Sequence, residues 1–396
     1  MIDLKSIVAS CKPEVIDFRR ALHQIPETGF AEEKTSSFIE KKIKEMGLVP
    51  ETGIAKTGLT CLLRGSGPKA TQGQTLMIRA DMDALAVTEE TDLPFSSTHQ
   101  GFMHACGHDA HMAMVLGAAK VLSTMTDELN GNVKFVFQPA EEGPGGAKPM
   151  VDAGVMENPH VDYVIGAHVW PALEKGKVGI KEGPLMAAMD FFDLTIQGKG
   201  GHGAMPHNCV DPVDTAAQVI NALQRIVSRQ MSPINPTVVT IGSIEGGSSY
   251  NIIPDSVRLK GTTRTFDRDI WASWPERMEK IVKGVCNAMG ASYILDYNVG
   301  YPPTINDAEM AELAVASATR VVGKDNVVEP EMTMGGEDMS FYLEKAKGCF
   351  IFLGTGTDGC APLHNSRFVF DENVLETGVE IFCDMALTLL KSPRFS

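Results

Sequence analysis

Short apolar segments alternate with helix-like segments along most of this chain, and this alternation restricts its fold more than any other feature. Helical periodicity runs from Val15 to about Met46, around a break at Pro26 and Gly29, and returns in His111–Met125. Strands that alternate with helices form mostly parallel sheets with helices on both faces, so we expect an α/β domain with a mostly parallel mixed sheet. The apolar runs, each bounded by Gly or Pro, are Leu76–Arg79, Val133–Phe137, Val161–Ile165 and Cys349–Leu353.

A central segment, Ala187–Gly300, has a different pattern. Its periodicity predicts the order β-α-β-β-α-β, which is typical of ferredoxin-like α+β domains. We therefore expect an inserted domain at residues 187–300, between the first part (1–186) and the second part (301–396) of the α/β domain. The predicted elements are strands at Phe191–Ile196, Thr237–Ile244, Ser256–Thr265 and Ser292–Val299, and helices at Asp211–Arg229 and Asp269–Met289.

Length and composition exclude several classes of protein. The 396 residues are enough for two domains at roughly 100 to 200 residues each, and 43% hydrophobic with 21% charged residues is ordinary for a globular chain. The formal net charge of −15 disfavours nucleic-acid and anionic-membrane partners. Asp3 and Lys5 interrupt the apolar run that a secretion signal needs, so we expect a cytoplasmic protein. The eight scattered cysteines do not have the density of a disulfide framework.

Polar side chains follow three of the predicted strands, where ligand sites of open α/β sheets lie. Asp81 and Asp83 follow the first strand, Glu141-Glu142 the second and His168 the third, and the segment HACGHDAH at 104–111 precedes a helix. Cys, His and Glu are ligands of Zn²⁺, Mn²⁺, Co²⁺ or Ni²⁺. The paired glutamates suit a division of labour in which one binds metal and the other takes a proton from water.

Two other interpretations remain open from the residues alone. Cys106 could act as the nucleophile of a thiol hydrolase, with His108 or His111 and Asp109, although residues two apart seldom align as nucleophile and base. A noncatalytic binding protein that keeps the fold is the third possibility. Inhibition by a chelator and rescue by Mn²⁺ or Zn²⁺ would favour the metal enzyme.

Seven motifs, in order over almost the whole chain, resemble the amidohydrolase branch of the aminoacylase and carboxypeptidase-like metallopeptidases. That branch includes hippurate hydrolases, N-acyl-amino-acid amidohydrolases, N-acetyldiaminopimelate deacetylases and auxin-conjugate hydrolases. The motifs are RADMDAL (79–85), HACGHDAH (104–111), QPAEEG (138–143), GAHVWP (166–171), GKGGHGAMPH (198–207), YNIIP (250–254) and PLHN (362–365).

The resemblance implies a zinc-exopeptidase-like catalytic domain that holds two divalent metal ions, with an inserted lid and dimerisation domain. Cys106 would bridge the metals, and Glu141 would be the general base. Asp83 would hold the imidazole of a metal ligand, His108 being the expected one. The remaining implied ligands are His108, Glu142, His168 and His364.

For the substrate, the resemblance implies an N-acyl-amino acid hydrolysed in a homodimer or homotetramer. His202 would stabilise the oxyanion in the partner subunit's site, while Asn251 and Arg264 would bind the substrate carboxylate. Trp170 and a loop at Gly183–Met189 are expected to shape the acyl pocket. The Gly335–Asp338 segment resembles a loop near the final histidine; we assign no role to its Glu337 and Asp338, for which a surface position is the ordinary expectation.

Overall fold

The computed structural model describes residues 3–70 and 73–391; positions 1–2, 71–72 and 392–396 of the expected catalytic domain lie outside the described residues. The strands are β1 (Pro50–Ile54), β2 (Gly58–Arg64), β3 (Thr75–Asp81), β4 (Asn132–Gln138), β5 (Tyr163–Glu174), β6 (Val178–Gly179), β7 (Gly183–Met186), β8 (Ala188–Gln197), β9 (Gly201–His202), β10 (Thr237–Glu245), β11 (Ile252–Ile253), β12 (Ser256–Thr265), β13 (Ser292–Tyr301), β14 (Thr304–Asn306), β15 (Val327–Val328) and β16 (Lys347–Gly356). The α-helices are α1 (Leu4–His23), α2 (Glu33–Glu45), α3 (His108–Ser123), α4 (Ala147–Asp152), α5 (Pro212–Arg225), α6 (Arg268–Met289), α7 (Ala308–Val322), α8 (Ser340–Leu343) and α9 (Asn373–Lys391).

The chain forms two compact units. Among the described residues, the first contains those up to Gly183, Ile305–Glu331 and those from Asp338 to Lys391, and the second contains Pro184–Thr304 and Met332–Glu337. The second unit thus takes in a short segment from far along the chain, which the sequence pattern did not indicate.

The first unit is built on an eight-stranded mixed sheet of order β1-β2-β4-β3-β5-β16-β6-β15. Its centre, β4-β3-β5-β16, is parallel, and β2 joins β4 in antiparallel orientation. The expected α/β fold with a large mixed sheet is confirmed. Because β3 lies between β4 and β5 and runs parallel to both, Asp81 at the end of β3, the glutamates that follow β4 and His168 within β5 lie near one edge of the sheet.

Helices α1, α3 and α9 pack against one another beside this sheet. The predicted first helix was too short, since α1 begins at Leu4, where the Asp3 carboxylate accepts the backbone N–H of Ser6. It continues through Pro13, which sequence rules place at helix ends. Helix α3 is buried on all sides, which accounts for its run of Ala, Met, Val and Leu.

The second unit contains a four-stranded antiparallel sheet of order β10-β12-β8-β13, with α5 and α6 packed against it. Its order along the chain is the β-α-β-β-α-β pattern read from the sequence, with a separate ribbon of β9 and β11. The core contains Trp274, Leu194 and Val219. Asp211 and Asp267 begin the two helices by accepting backbone N–H groups of the first turn.

The expected loop at Gly183–Met189 was wrong, because these residues form β7 and the start of β8. Leu185, Met186 and Ala187 are buried, so their backbone groups need partners inside the protein. The Ala187 N–H lies against the carbonyls of Thr333 and Gly335.

No helix among the described residues is long and apolar enough to cross a membrane.

Candidate metal centre

The ends of β3 and β4, the middle of β5 and the first turn of α3 bring the expected ligands together. His168 was expected to follow its strand, but β5 continues past it to Glu174. Helix α3 starts at His108 because Gly107 adopts φ +86°, a left-handed conformation that favours glycine. A Cβ on Gly107 would lie 2.4 Å from Val169 Cγ2, in the strand that carries His168. Gly107 therefore fixes the close approach of the α3 start to β5.

Cys106, His108 and His168 form a buried set that we call the inner group. Their candidate ligand atoms all lie within 4.8 Å of one another, and Cys106 Sγ is 3.4 Å from His168 Nε2. His168 Nδ1 is 2.7 Å from the Val169 carbonyl oxygen, and His108 Nδ1 is 2.9 Å from the Asp83 carbonyl oxygen. A carbonyl can only accept, so each Nδ1 carries a proton.

This hydrogen bonding suits a metal at the inner group. In a neutral imidazole, a protonated Nδ1 leaves Nε2 with a free lone pair, as a ligand requires. His108 Nε2 is buried and has no hydrogen-bond partner, which is costly for a polar atom unless a ligand occupies it. The donor set of one thiol and two imidazoles is typical of zinc and similar cations.

Cys106 also belongs to a second set with Glu142 and His364, which we call the outer group. Glu142 Oε1 lies 3.0 Å from His364 Nε2. The His364 side chain is 53% exposed, whereas that of His108 is 1% exposed. His364 has φ +65°, and its N–H donates to the Ala105 carbonyl, which ties its loop to the HACGHD segment.

Asp83 organises the glutamate pair and one imidazole at once. Its two carboxylate oxygens accept the backbone N–H groups of Glu141 (2.9 Å) and Glu142 (3.1 Å). Its backbone carbonyl, rather than its carboxylate, is the closer partner of His108 Nδ1, since the carboxylate oxygen is 3.4 Å away. The expected contact between Asp83 and His108 is present, but mainly through the main chain.

Several buried carboxylates surround the candidate ligands, and their negative charge favours the binding of cations at this site. Burial, reinforced by the Glu142 and Glu141 carboxylates, raises the pKa of the Cys106 thiol well above its usual value. Burial disfavours the charged form of His108, but Asp81, Asp83 and Glu142 outweigh it and raise its pKa to about 10. Burial, reinforced by His111, holds the pKa of His168 well below its ordinary value. Divalent cations would offset the crowded carboxylates and favour the thiolate.

Two further buried polar side chains, His111 and Asp81, lie behind the inner group, and we call them the row behind it. Sequence reasoning did not predict their supporting role. His111 Nδ1 lies 2.7 Å from Asp81 Oδ1, and the Val169 N–H donates to His111 Nε2 at 3.0 Å. Because Nε2 accepts, Nδ1 must donate to Asp81. His111 thus joins the end of β3 to the middle of β5, and the signal for it was Arg79 and Asp81 at the end of the otherwise apolar β3.

The expectation of a surface position for Glu337 and Asp338 was wrong, because both are buried. The Asp338 carboxylate accepts from Arg79 Nη2 at 3.0 Å, from Gln138 Nε2 at 2.8 Å and from the N–H groups of Gly146 and Ala147. Burial raises the pKa of Asp338 to about 6, against the opposing effect of Arg79. These contacts hold the loop that follows the glutamate pair.

A third network lies on the other side of α3. The Asp109 carboxylate accepts from Arg19 Nε and contacts His23 Nδ1, both at 2.8 Å, and His23 Nε2 lies 3.2 Å from Glu89. Burial disfavours the charge on His23, but Asp109 and Glu89 outweigh it and raise its pKa to about 9. The Asp109 carboxylate therefore pairs with Arg19 and His23 of α1 rather than with His108 or His111. The Cys-His-Asp arrangement expected of a thiol hydrolase is not formed by these residues.

The other expected residues lie in the second unit. His202 on β9 pairs with Ile252 on β11, and the Gly203 N–H donates to the Asn251 carbonyl at 2.8 Å, so His202 and Asn251 share one ribbon. The Ala204 N–H donates to His202 Nδ1 at 3.0 Å, which leaves the proton of the neutral imidazole on Nε2. Arg264 is half-buried on β12, where it donates to the Thr263 carbonyl.

Comparison with known proteins places this geometry in a family. Residues 77–388 match the model of Peptidase family M20/M25/M40. The chain is 40% identical over 382 residues to thermostable carboxypeptidase 1 of Saccharolobus solfataricus, covering 95% of each chain. It is 46% identical over 305 residues to an N-acyl-L-amino acid amidohydrolase of Geobacillus stearothermophilus, covering 77% of this chain and 81% of the relative.

A solved structure agrees with these relatives. The Bacillus subtilis YXEP protein, described as a dinuclear metal binding peptidase from M20 family, superimposes with a TM-score of 0.84 at 34% identity, covering 97% of this chain and 99% of that one. The family resemblance drawn from the seven motifs is confirmed. The chain belongs to Peptidase family M20/M25/M40.

Proposed function

We propose that this protein hydrolyses the amide bond of N-acyl-amino acids at a centre of two divalent metal ions. The observation that carries the proposal is that two groups of candidate ligands share one thiol, Cys106, beside a paired glutamate. The names of the amidohydrolase from Geobacillus stearothermophilus and of the dinuclear peptidase from Bacillus subtilis support it.

Each group has a proposed role. Cys106, His108 and His168 would hold one cation, and Cys106, Glu142 and His364 the other, with the metal either Zn, Mn, Co or Ni. When bound, the cations would polarise the scissile carbonyl and lower the pKa of a nearby water molecule.

Glu141 is the proposed general base. Its backbone N–H is held by Asp83, and its carboxylate oxygen lies 4.0 Å from His108 Nε2, at the edge of the ligand cluster. From there it would take a proton from water and deliver it to the leaving amine. Asp83 would act by positioning both glutamates and His108.

The proposed contacts to the rest of the substrate are His202, Asn251 and Arg264. The exposed His202, with its proton on Nε2, can donate to a developing oxyanion, as the amidohydrolase resemblance suggests for a neighbouring subunit. Asn251 and Arg264 would bind the free carboxylate of the amino acid. A homodimer or homotetramer follows from this proposal, and light scattering of the purified protein would test it.

Hydrolysis assays with metal analysis test the function. Protein loaded with Mn²⁺ or Zn²⁺ should release free amine from acetyl- and benzoyl-amino acids, and a chelator should stop the reaction. The Glu141→Gln variant should keep its metals and lose about 10²-fold or more in turnover, the scale expected for loss of a general base. Loss of metal in Glu141→Gln would contradict its role as base. It would mean that Glu141 binds metal and that Glu142 is the base.

A further inference from the structure

An apolar cleft of about 330 Å³ lies in the first unit. That volume is within the range of small-molecule sites in proteins. None of its lining side chains carries a charge. The cleft is lined by Trp170, Pro171, Ala172, Cys360, Pro362 and Leu363.

The two walls of this cleft continue directly into the metal centre. Trp170 follows His168 by two residues on β5, and alternate side chains of a strand lie on the same face. The two rings contact each other edge to face, with centroids 5.6 Å apart. On the opposite wall, Leu363 directly precedes His364 of the outer group.

The indole of Trp170 is held in a fixed orientation. It stacks on Phe352 of the neighbouring strand β16, with ring centroids 4.2 Å apart and planes 4° from parallel. The Cys360 thiol contacts the Pro171 carbonyl, which joins the two walls at the rim. An aromatic surface held in this way is a preformed contact for another flat apolar group.

From this geometry we infer that the cleft binds the acyl group of the substrate and selects an aromatic or other bulky apolar acyl group over acetyl. This inference rests on the proposed hydrolysis of N-acyl-amino acids. The amino-acid half of such a substrate carries a carboxylate, and burying it against this uncharged lining would cost its hydration without a partner. The acyl half has no charge, so it is the half that fits.

The expected size of the preference follows from apolar burial. An acetyl group would leave most of the cleft empty, whereas a benzoyl ring would cover Trp170 and Leu363. One methylene in an apolar pocket changes discrimination by about 10- to 200-fold, so kcat/KM should favour benzoyl over acetyl by about 10-fold or more.

The test is a matrix of four substrates: acetyl-alanine, benzoyl-alanine, acetyl-phenylalanine and benzoyl-phenylalanine. Trp170→Ala and Leu363→Ala should each lower the ratio of kcat/KM for the benzoyl pair to kcat/KM for the acetyl pair by about 10-fold or more. The ratio is the readout because any effect of these changes on His168 or His364 acts on both pairs alike. Trp170→Phe, which keeps an aromatic ring, should retain most of the benzoyl preference. Val369→Ala is the control, since Val369 is 43% exposed on the same C-terminal segment and does not line the cleft.

The outcomes separate this inference from the proposed function. Failure of the metal-loaded protein to cleave all four substrates would overturn the hydrolysis proposal and the cleft assignment with it. Cleavage with an unchanged benzoyl-to-acetyl ratio in both Trp170→Ala and Leu363→Ala would overturn the cleft assignment alone. A loss that followed phenylalanine against alanine, rather than the acyl group, would assign the cleft to the amino-acid side chain and also contradict the inference.

Discussion

The inner and outer ligand groups share Cys106 but are constructed in different ways. His108 and His168 are buried, and each has its Nδ1 proton directed to a backbone carbonyl before any metal arrives. The outer group depends on Glu142 and on His364, a half-exposed side chain on a loop. Preformed ligands lose little freedom on binding, so the inner group should bind its cation more tightly and exchange it more slowly.

Removal of the shared thiol should have the largest effect because it damages both groups. Cys106→Ala should lower the affinity for both cations by more than the roughly 10- to 100-fold typical of partners that only orient a ligand, and hydrolysis should fall with it. Metal analysis after dialysis and the rate on an N-acyl-amino acid measure this. The control is Cys61→Ala, another buried free cysteine, on β2. Full metal content in Cys106→Ala would contradict the shared-thiol arrangement.

The row behind the inner group should affect that group selectively. Asp81→Asn preserves shape but weakens the hold on His111, so affinity for the inner cation should fall by about 10- to 100-fold. The outer cation should change less. Asp162→Asn is a suitable control, because Asp162 accepts the Thr75 N–H at the opposite end of β3. Equal losses at both cations in Asp81→Asn would mean that the row supports the whole centre rather than one side.

The conformation of Gly107 tests whether the start of α3, which carries His108, must pack closely against β5. Gly107→Ala combines a left-handed φ with a clash against Val169, so the free energy of unfolding should fall by about 2 to 4 kcal/mol. Gly101 has nearly the same φ, +85°, and open space around its Cβ position, so Gly101→Ala should cost only about 1 kcal/mol. Denaturant unfolding of both variants gives the difference. Similar losses of unfolding free energy in the two variants would contradict the idea that packing against β5 requires glycine at position 107.

The smallest expected effect concerns the His23 network that anchors α3 to α1. The raised pKa of His23, about 9, means that its stabilisation is complete below about pH 6.5 and is lost as pH rises through 9. Burial opposes the charge of Glu89, but His23 and Thr91 outweigh it and lower its pKa to about 2, so its contribution is lost only as pH falls through that value. His23→Gln should therefore cost about 2 kcal/mol near pH 6 and much less above pH 9, measured by denaturant unfolding at both pH values. A cost that did not change with pH would contradict this electrostatic origin.

The sequence predicted the parts of this molecule that obey local rules. Strand-helix alternation predicted the α/β fold, and Asp211, where the first helix of the second unit was expected to begin, is its N-cap. The second helix was predicted from Asp269, whereas its N-cap is Asp267. The seven motifs identified the family. By contrast, the first part of α1, which contains Pro13, was not predicted to be helical. The β1-β2 hairpin was not predicted from its short, turn-rich sequence.

The supporting polar networks were beyond local reasoning because their partners are distant in sequence. Asp338 lies 259 positions from Arg79 and 200 from Gln138, and nothing near Asp338 indicates a buried carboxylate. The contact of His111 with Val169 in β5 likewise depends on the sheet order. Residue types identify candidate ligands, whereas only tertiary structure shows which groups orient them.

A calorimetric titration of the metal-free protein with Mn²⁺ or Zn²⁺ measures directly whether the chain holds two cations of different affinity. We expect two cations per chain. The tighter one should be lost in His168→Ala and the weaker one in His364→Ala, which should keep a single tight site. Binding of only one cation to the unaltered chain, or loss of the tighter site in His364→Ala with retention in His168→Ala, would contradict this expectation.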